Sequence, residues 1–160
     1  MNAEVISDLC LQEQYAPRGV CYGCGRAHPH GLQIQSFVKG ETVVAKFVPA
    51  NHHHGFEGIL NGGIIGALFD CHMNWTAAWS LMQAQRLKEP PCTVTGNFQV
   101  QFHAPTPMDT ELQIEARAEK VSERKAEISV TLTVNDVTTA SGTGVFIAVK
   151  EGHPAFNRWN

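Results

Sequence analysis

The stretch that decides the fold lies in the middle of the chain, where residues 61–83 read NGGIIGALFDCHMNWTAAWSLMQ. A helix that is apolar nearly all round has to be enclosed by other structure. Asn61 is a preferred N-cap residue, so a helix is predicted from Gly62 to about Gln83. The apolar residues recur at helical spacing and cover most of the helix surface: Ile64, Ile65, Leu68, Phe69, Cys71, Trp75, Ala78, Trp79 and Met82.

Regular alternation of apolar and polar residues after this helix predicts β-strands. It occupies residues 97–103, 112–119 and 128–134, and residues 137–149 form a fourth strand-like segment. Alternation with one apolar face indicates an antiparallel sheet that is covered on one side. The large aromatic residues are expected in the core, unless some of them line a ligand pocket: Trp75, Trp79, Phe98 and Phe102.

Shorter segments before the helix complete the predicted fold. Residues 31–37 and 42–48 predict two strands around a turn at Lys39-Gly40, and residues 49–58 predict a loop. Residues 1–20 predict a lead-in with a short helix. The simplest assembly is a single α+β domain, residues 1–160, in which one curved antiparallel sheet wraps around the long central helix.

Composition narrows the possible classes of function. The 160 residues include 43% hydrophobic and 17% charged residues, which indicates a folded chain with a substantial core. The formal net charge is -3 and Lys and Arg form no run, so we expect no nucleic-acid partner. Polar residues such as Asp70 and His72 interrupt the apolar stretch, which excludes an ordinary membrane span. The first residues lack a secretion signal, and a cytoplasmic location is expected.

The five cysteines are predicted to be free thiols, because an odd number without a secretion signal does not suggest a disulfide framework. Cys21, Cys24, His28 and His30 have a C-x2-C-x3-H-x-H spacing that suits zinc. The second pair is unusually close for a structural zinc site, and Pro29 separates its members. We therefore expect no metal and no cofactor, with zinc at this loop as the alternative.

Two glycines at the start of the predicted helix are unexpected, because glycine is a poor helix former. Gly62 and Gly63 leave the N–H groups of the first turn open to a ligand oxygen at the positive end of the helix dipole. Such a helix start is suited to hold the oxyanion of a tetrahedral intermediate. Close packing of helix on sheet is the alternative explanation.

Asp70 is the candidate reacting group, because an acid on a buried helix is rarely without a role. It lies seven residues beyond Gly63, on the same stripe of the helix and roughly 10 Å further along the axis. That separation is too large for both groups to act on one carbonyl carbon. If they share a substrate, they come from two copies of the helix, which predicts a dimer with two shared sites.

Several short motifs follow one another along the chain: Cys21-Tyr22-Gly23-Cys24-Gly25, Gly31-Leu32, Gly55-Phe56-Glu57-Gly58-Ile59, Asn61-Gly62-Gly63 and Asp70. A later segment, residues 93–107, reads TVTGNFQVQFHAPTP. Together these motifs resemble the hotdog-fold thioesterases, in the branch that includes phenylacetyl-CoA-type thioesterases, and residues 93–107 are similar to the family's third strand and its Pro-rich exit. The resemblance covers nearly all of residues 20–150.

The resemblance implies an acyl-CoA thioesterase that forms homodimers, which often pair again into tetramers. It implies that Asp70 is the nucleophile or general base and that a Gly62 or Gly63 amide polarises the thioester carbonyl. Thr95 matches a hydroxyl near the attacking water, and His54 matches a polar position that faces the site. Asn61 departs from the family pattern, which has His there. This departure leaves a non-catalytic acyl-CoA-binding or regulatory protein as the alternative function.

Three further residues are candidates for substrate contacts. Asn74 lies one turn after Asp70 and is expected to help orient a water or the carboxylate. Arg124 and Lys125 lie at a predicted turn between late strands and are candidates to meet the phosphates of CoA. The alternative for this pair is an ordinary solvated turn.

Overall fold

A computed structural model describes residues 7–160. These residues form two α-helices, α1 (Leu11–Tyr15) and α2 (Gly62–Gln85). The strands are β1 (Phe37–Lys39), β2 (Thr42–Phe47), β3 (His54–Phe56), β4 (Ile59–Leu60), β5 (Thr93–Phe102), β6 (Leu112–Val121), β7 (Lys125–Val134) and β8 (Val137–Ala148). Six strands form one antiparallel sheet in the order β1-β2-β6-β7-β8-β5, and β3 pairs with β4 alone.

Helix α2 lies at the centre of the curved sheet and contacts β2, β5, β6, β7 and β8. Its side chains from Leu68 to Leu81 are largely buried, and Phe69 and Trp75 are almost completely enclosed. The nearly uniform apolar character of the helix is therefore explained, because sheet or loop covers it on most sides. The predicted α+β fold, with one sheet around one long helix, is confirmed.

Strands β6 and β7 show the alternation that the sequence predicted. Leu112, Ile114 and Ala116 on β6 are buried while the residues between them face solvent. Ile128, Val130 and Leu132 on β7 are likewise buried. Burying one Leu or Ile side chain contributes about 1.5–3 kcal/mol to stability. These two strands thus provide an apolar surface against which α2 packs.

The early part of the chain differs from the prediction. The strand expected over residues 31–37 begins only at Phe37, because the backbone before it bonds to the preceding loop instead of a neighbouring strand. The N–H of Leu32 donates to the Tyr22 carbonyl at 2.7 Å, and that of Ile34 donates to the Gly23 carbonyl at 3.0 Å. The loop predicted over residues 49–58 instead contains a 3-10 turn and strand β3. Its last residues connect β3 to β4.

A buried polar network joins the N-terminal segment to the core. The Gln12 side chain donates to Ser36 Oγ at 2.9 Å, and Ser36 Oγ lies 2.8 Å from His72 Nδ1. His72 Nε2 is 2.9 Å from the Val43 carbonyl oxygen, so this nitrogen donates and Nδ1 accepts from Ser36. Burial holds the pKa of His72 at about 4, which agrees with a neutral ring. The network ties α1 and residues 32–36 to both α2 and β2.

The expectation that Phe98 and Phe102 are core residues is wrong within one chain. Phe98 is 39% exposed and Phe102 is 57% exposed. Their strand, β5, is the last of the sheet and pairs only with β8 among residues 7–160. Both rings lie beside glycines of α2, Phe102 near Gly62 and Phe98 near Gly66, so that helix leaves them uncovered.

Within residues 7–160, no helix combines the length and the apolar character needed to cross a membrane.

Candidate active site

Asn61 caps α2, as its residue type predicted. Its Oδ1 accepts a hydrogen bond from the N–H of Gly63 at 2.7 Å. The Gly63 amide is therefore already used by the cap. The N–H of Gly62 has no acceptor within the described part of the chain. Of the two glycine amides considered in the sequence, only Gly62 retains a free donor at the helix start.

Different contacts explain why each of these two positions is a glycine. A Cβ on Gly63 would lie 2.9 Å from Asn61 Oδ1, so a side chain there would disturb the cap. A Cβ on Gly62 would lie 3.2 Å from Cζ of Phe102. An apolar cavity of about 450 Å³ opens beside Gly62, between the start of α2 and the end of β5. The free amide consequently borders a space that suits an apolar ligand.

Asp70 lies about two turns further along α2 and is half-buried. The hydroxyl of Thr95 on β5 donates to Asp70 Oδ1 at 2.6 Å. Burial raises the pKa of Asp70 above its ordinary value, and the hydrogen bond from Thr95 opposes this rise. The structure thus brings together the two predicted residues that are 25 positions apart in the sequence.

A bulge in β5 makes this arrangement possible. The register with β8 shifts between Thr95 and Asn97, so the strand gains one residue at Gly96. A one-residue shift exchanges the faces of all following side chains. Thr95 before the bulge and Phe98 after it therefore both lie on the helix side of the sheet. Residues 97–102 alternate between the two faces of the sheet as predicted. The sequence did not show that Thr95 lies on the same face as Phe98.

The end of the chain contributes residues to this region that no sequence motif indicated. The guanidinium of Arg158 lowers the pKa of Asp70 through its charge and donates to the Thr93 carbonyl at 3.2 Å. Trp159 stacks on Trp75 of α2 with ring centroids 4.3 Å apart. The aromatic residues Phe156 and Trp159 were the available sequence sign that this segment returns to the core, and Trp159 is the one that is buried.

Two predicted substrate contacts have other partners within the chain. Asn74 is buried, and its Oδ1 accepts from the Thr93 hydroxyl at 2.7 Å. This amide fastens α2 to β5, and in one chain it is not open to a ligand. His54 is exposed, and its Nδ1 contacts the carbonyl oxygen of Asn51 within the preceding turn. His54 remains accessible from solvent but is held by the loop.

Arg124 ends the turn between β6 and β7, Lys125 is the first residue of β7, and both are exposed. Arg124 Nη2 also donates to the Ala148 carbonyl at 2.8 Å. In the sheet, Ala126 pairs with Phe146, which in turn pairs with Thr95. The turn is therefore at the same end of the sheet as Thr95, two strands or roughly 10 Å away.

Gly62 and Asp70 are eight residues apart on one helix, which places them roughly 12 Å apart along its axis. A carbonyl group within hydrogen-bond reach of the Gly62 amide lies beyond the reach of the same chain's Asp70. In one chain the two predicted catalytic features are thus separate.

Solved structures share this fold. A thioesterase superfamily protein from Shewanella loihica is 28% identical, with a TM-score of 0.64 over 78% of this chain and 98% of that chain. The Escherichia coli PaaI protein from the phenylacetic acid degradation operon is 12% identical, with a TM-score of 0.63, and the match covers 74% of this chain and 81% of that protein. Zebra fish thioesterase superfamily member 2 is 18% identical, with a TM-score of 0.62 and coverage of 77% and 90%. The last two show likeness of fold alone.

No curated protein sequence matches the chain significantly. A sequence profile of the thioesterase superfamily matches residues 57–141, which is more than half of the chain. The matched region begins before Asn61 and includes all of α2 with Asp70, as well as Thr95 on β5. The resemblance seen in the sequence motifs is therefore confirmed at the level of the superfamily. The chain belongs to the thioesterase superfamily.

Proposed function

We propose that the protein hydrolyses an acyl-CoA thioester to a free acid and CoA. The observation that carries this proposal is the 2.6 Å hydrogen bond from Thr95 to Asp70 on the central helix of a thioesterase-superfamily fold. A half-buried carboxylate with one fixed oxygen is well placed to act as a general base or nucleophile.

In the proposed reaction, Asp70 either removes a proton from the attacking water or attacks the thioester carbon itself. The carbonyl oxygen becomes an oxyanion and accepts a hydrogen bond from the N–H of Gly62 at the positive end of α2. Collapse of the tetrahedral intermediate breaks the carbon–sulfur bond, and the CoA thiolate leaves. If Asp70 is the nucleophile, a water then hydrolyses the acyl-enzyme anhydride.

A homodimer supplies the geometry that one chain lacks. We propose that α2 of one copy lies antiparallel to α2 of the other, so that Gly62 of one copy approaches Asp70 of its partner. The open edge of β5 and the exposed rings of Phe98 and Phe102 support this arrangement, since a long unpaired strand edge favours pairing with a second chain. Two such dimers can pair into a tetramer.

The same arrangement suggests where the parts of the substrate lie. The apolar cavity bounded by Phe56, Ile65 and Phe102 suits the acyl chain. Arg124 and Lys125, at the Thr95 end of the sheet, suit the phosphates of CoA. His54 is exposed ahead of the helix start and remains a candidate contact for the substrate.

The test is a panel of short, long and aromatic acyl-CoA substrates with a free-thiol readout. Asp70→Asn keeps the size of the side chain and its ability to accept from Thr95 but removes the charge. We expect kcat to fall by at least about 100-fold because the base or nucleophile is lost. Asp109→Asn is the matched control, since Asp109 is exposed and lies outside the site. Wild-type turnover in folded Asp70→Asn would refute the mechanism.

One observation favours a second function, namely binding of acyl-CoA without hydrolysis. The Asn61 side chain is committed to the helix cap through Gly63 and cannot be protonated. Under this alternative, calorimetry detects acyl-CoA binding while none of the substrates releases thiol. Measurable hydrolysis by the wild-type protein excludes it.

A further inference from the structure

A second group of reactive side chains lies next to the candidate active site but takes no part in the proposed reaction. The loop of residues 21–25 folds against α2 and brings Cys21 and Cys24 to Cys71. The three sulfur atoms all lie within 4.8 Å of one another, and those of Cys21 and Cys71 are 3.6 Å apart. Cys71 directly follows Asp70 on the helix.

The backbone around the cluster is shaped for this close approach. A Cβ on Gly23 would lie 2.4 Å from the sulfur of Cys71, so only glycine lets the loop rest on the helix here. A Cβ on Gly25 would come within 2.6 Å of three backbone atoms, two of them in Cys21. The tight loop therefore holds Cys21 and Cys24 in fixed positions relative to Cys71.

The spacing of the sulfur atoms fits a tetrahedral metal ion. Zinc–sulfur bonds of about 2.3 Å place two sulfur ligands roughly 3.8 Å apart, which lies within the spread of distances seen here. The histidines of the C-x2-C-x3-H-x-H pattern do not join the cluster, and His28 Nδ1 instead accepts from the N–H of His30. The third potential ligand comes from α2, 47 residues after Cys24.

The thiols of the cluster are close enough to share protons. The sulfur atoms of Cys21 and Cys71 lie 3.6 Å apart, and either thiol can donate to the other. A cation in place of the shared protons would favour all three groups as thiolates.

Trp75 provides a second, independent sign of a missing partner. Its indole ring is buried, and its Nε1–H has no hydrogen-bond acceptor among residues 7–160. Trp75 lines the same cavity as Cys21 and Cys24. A metal-bound thiolate is a stronger acceptor than a thiol, so a loaded cluster would give the buried donor its partner.

We propose that Cys21, Cys24 and Cys71 bind one thiophilic divalent cation, with zinc as the best-suited ion. Three thiolates leave one position of the tetrahedron, and Cys21 and Cys24 border a cavity of about 230 Å³ from which water can fill it. The ion would join the loop of residues 21–25 to α2 at the residue after Asp70. This site is independent of the proposed hydrolysis, and its test does not require a substrate.

The test uses the full chain, reduced, stripped of metal and titrated with Zn²⁺ in competition with a chromophoric chelator. Native mass spectrometry then gives the stoichiometry, and we expect one zinc per chain. Cys21→Ser and Cys71→Ser should each weaken zinc binding by at least about 100-fold, because each removes a ligand. Cys92→Ser is the matched control, since Cys92 is a free thiol outside the cluster. We expect it to bind zinc as the wild type does.

Co²⁺ provides a second readout, because tetrahedral thiolate ligation gives strong visible absorption that the Cys21→Ser variant should lose. If Cys71→Ser does not fold, Cys21→Ser carries the test, since Cys21 is only half-buried. Zinc binding that is absent, or equal in Cys21→Ser and Cys92→Ser, overturns the proposal. A disulfide between cluster cysteines in air, with no zinc binding after reduction, also overturns it and makes the cluster a redox pair.

Discussion

The hydroxyl of Thr95 is the smallest group on which the proposed site depends. It fixes one oxygen of Asp70 at 2.6 Å and opposes the rise in pKa that burial causes. The other oxygen has no hydrogen-bond partner among residues 7–160, which leaves it open to a water or a substrate carbon. A hydrogen bond to a charged group contributes about 1.5–3 kcal/mol, so its loss should be measurable in turnover.

Replacing Thr95 tests this role. Thr95→Val keeps the β-branched shape but removes the donor, and we expect kcat to fall by roughly 10- to 100-fold. Thr95→Ser keeps the hydroxyl and should stay within a few-fold of the wild type. Steady-state kinetics on the best acyl-CoA substrate compares them. Equal rates for the Val and Ser variants would show that the hydrogen bond does not matter for the reaction.

Substitutions of Asn61 distinguish its role in capping α2 from a role in catalysis. Asn61→Asp and Asn61→Ser are both good caps and should preserve the free energy of unfolding, whereas Asn61→Ala should cost about 1 kcal/mol. The Asp variant also places a negative charge beside the Gly62 amide, where the oxyanion is proposed to form, and should depress activity sharply. Urea unfolding and turnover of the three variants are the measurements. An Asp variant as active as the Ser variant would place the oxyanion elsewhere.

At the scale of elements, two different kinds of contact hold α2 in place. Apolar side chains of β6 and β7 cover one side of the helix. The polar chain from Gln12 through Ser36 to His72 fastens the N-terminal segment to another side. Contacts of the first kind are non-directional, whereas the polar chain specifies one position for residues 32–36 because every member needs its partner.

Ser36→Ala tests the polar chain. The change removes one oxygen and leaves the buried Gln12 amide and His72 Nδ1 without their partner, which should cost about 1–3 kcal/mol. Urea unfolding measures the loss. Ser129→Ala, on the exposed side of β7, is a suitable control and should change stability by less than about 0.5 kcal/mol. Equal effects of the two changes would mean that water satisfies the buried groups.

For the whole molecule, the most consequential feature is the edge of β5 at the end of the sheet. Residues 7–160 of one chain leave that edge and the rings of Phe98 and Phe102 open. Gly62 and Asp70 are separated by roughly 12 Å along α2. Pairing of two chains through β5 would address both features at once. The proposed oligomer and the proposed site therefore depend on each other.

Light scattering should show a dimer or tetramer at assay concentration. Phe98→Arg places a charge on the open face beside Gly66 and should shift the protein towards monomer with loss of activity. Val137→Arg introduces the same charge at another exposed apolar position, on β8, and should leave assembly and turnover unchanged. A catalytically active monomer would refute the shared site.

The sequence by itself determined the features that depend on local periodicity. Residues 61–83 repeat at the helical period and residues 112–119 and 128–134 repeat with period two, so α2, β6 and β7 could be recognised without knowing what they contact. The cap at Asn61 acts within two residues and was predictable for the same reason. Asp70 stood out because an acid interrupts an otherwise apolar helix.

Only the tertiary structure decided which distant groups meet. The bulge at Gly96 places both Thr95 and Phe98 on the helix side, although an unbroken alternation would separate them. The chain end brings Arg158 towards Asp70, and the loop of residues 21–25 joins its cysteines to Cys71 rather than to His28. These contacts arise because the enclosing sheet fixes where each loop crosses α2. That geometry depends on contacts between residues far apart in the chain, which leave no repeat in the local sequence.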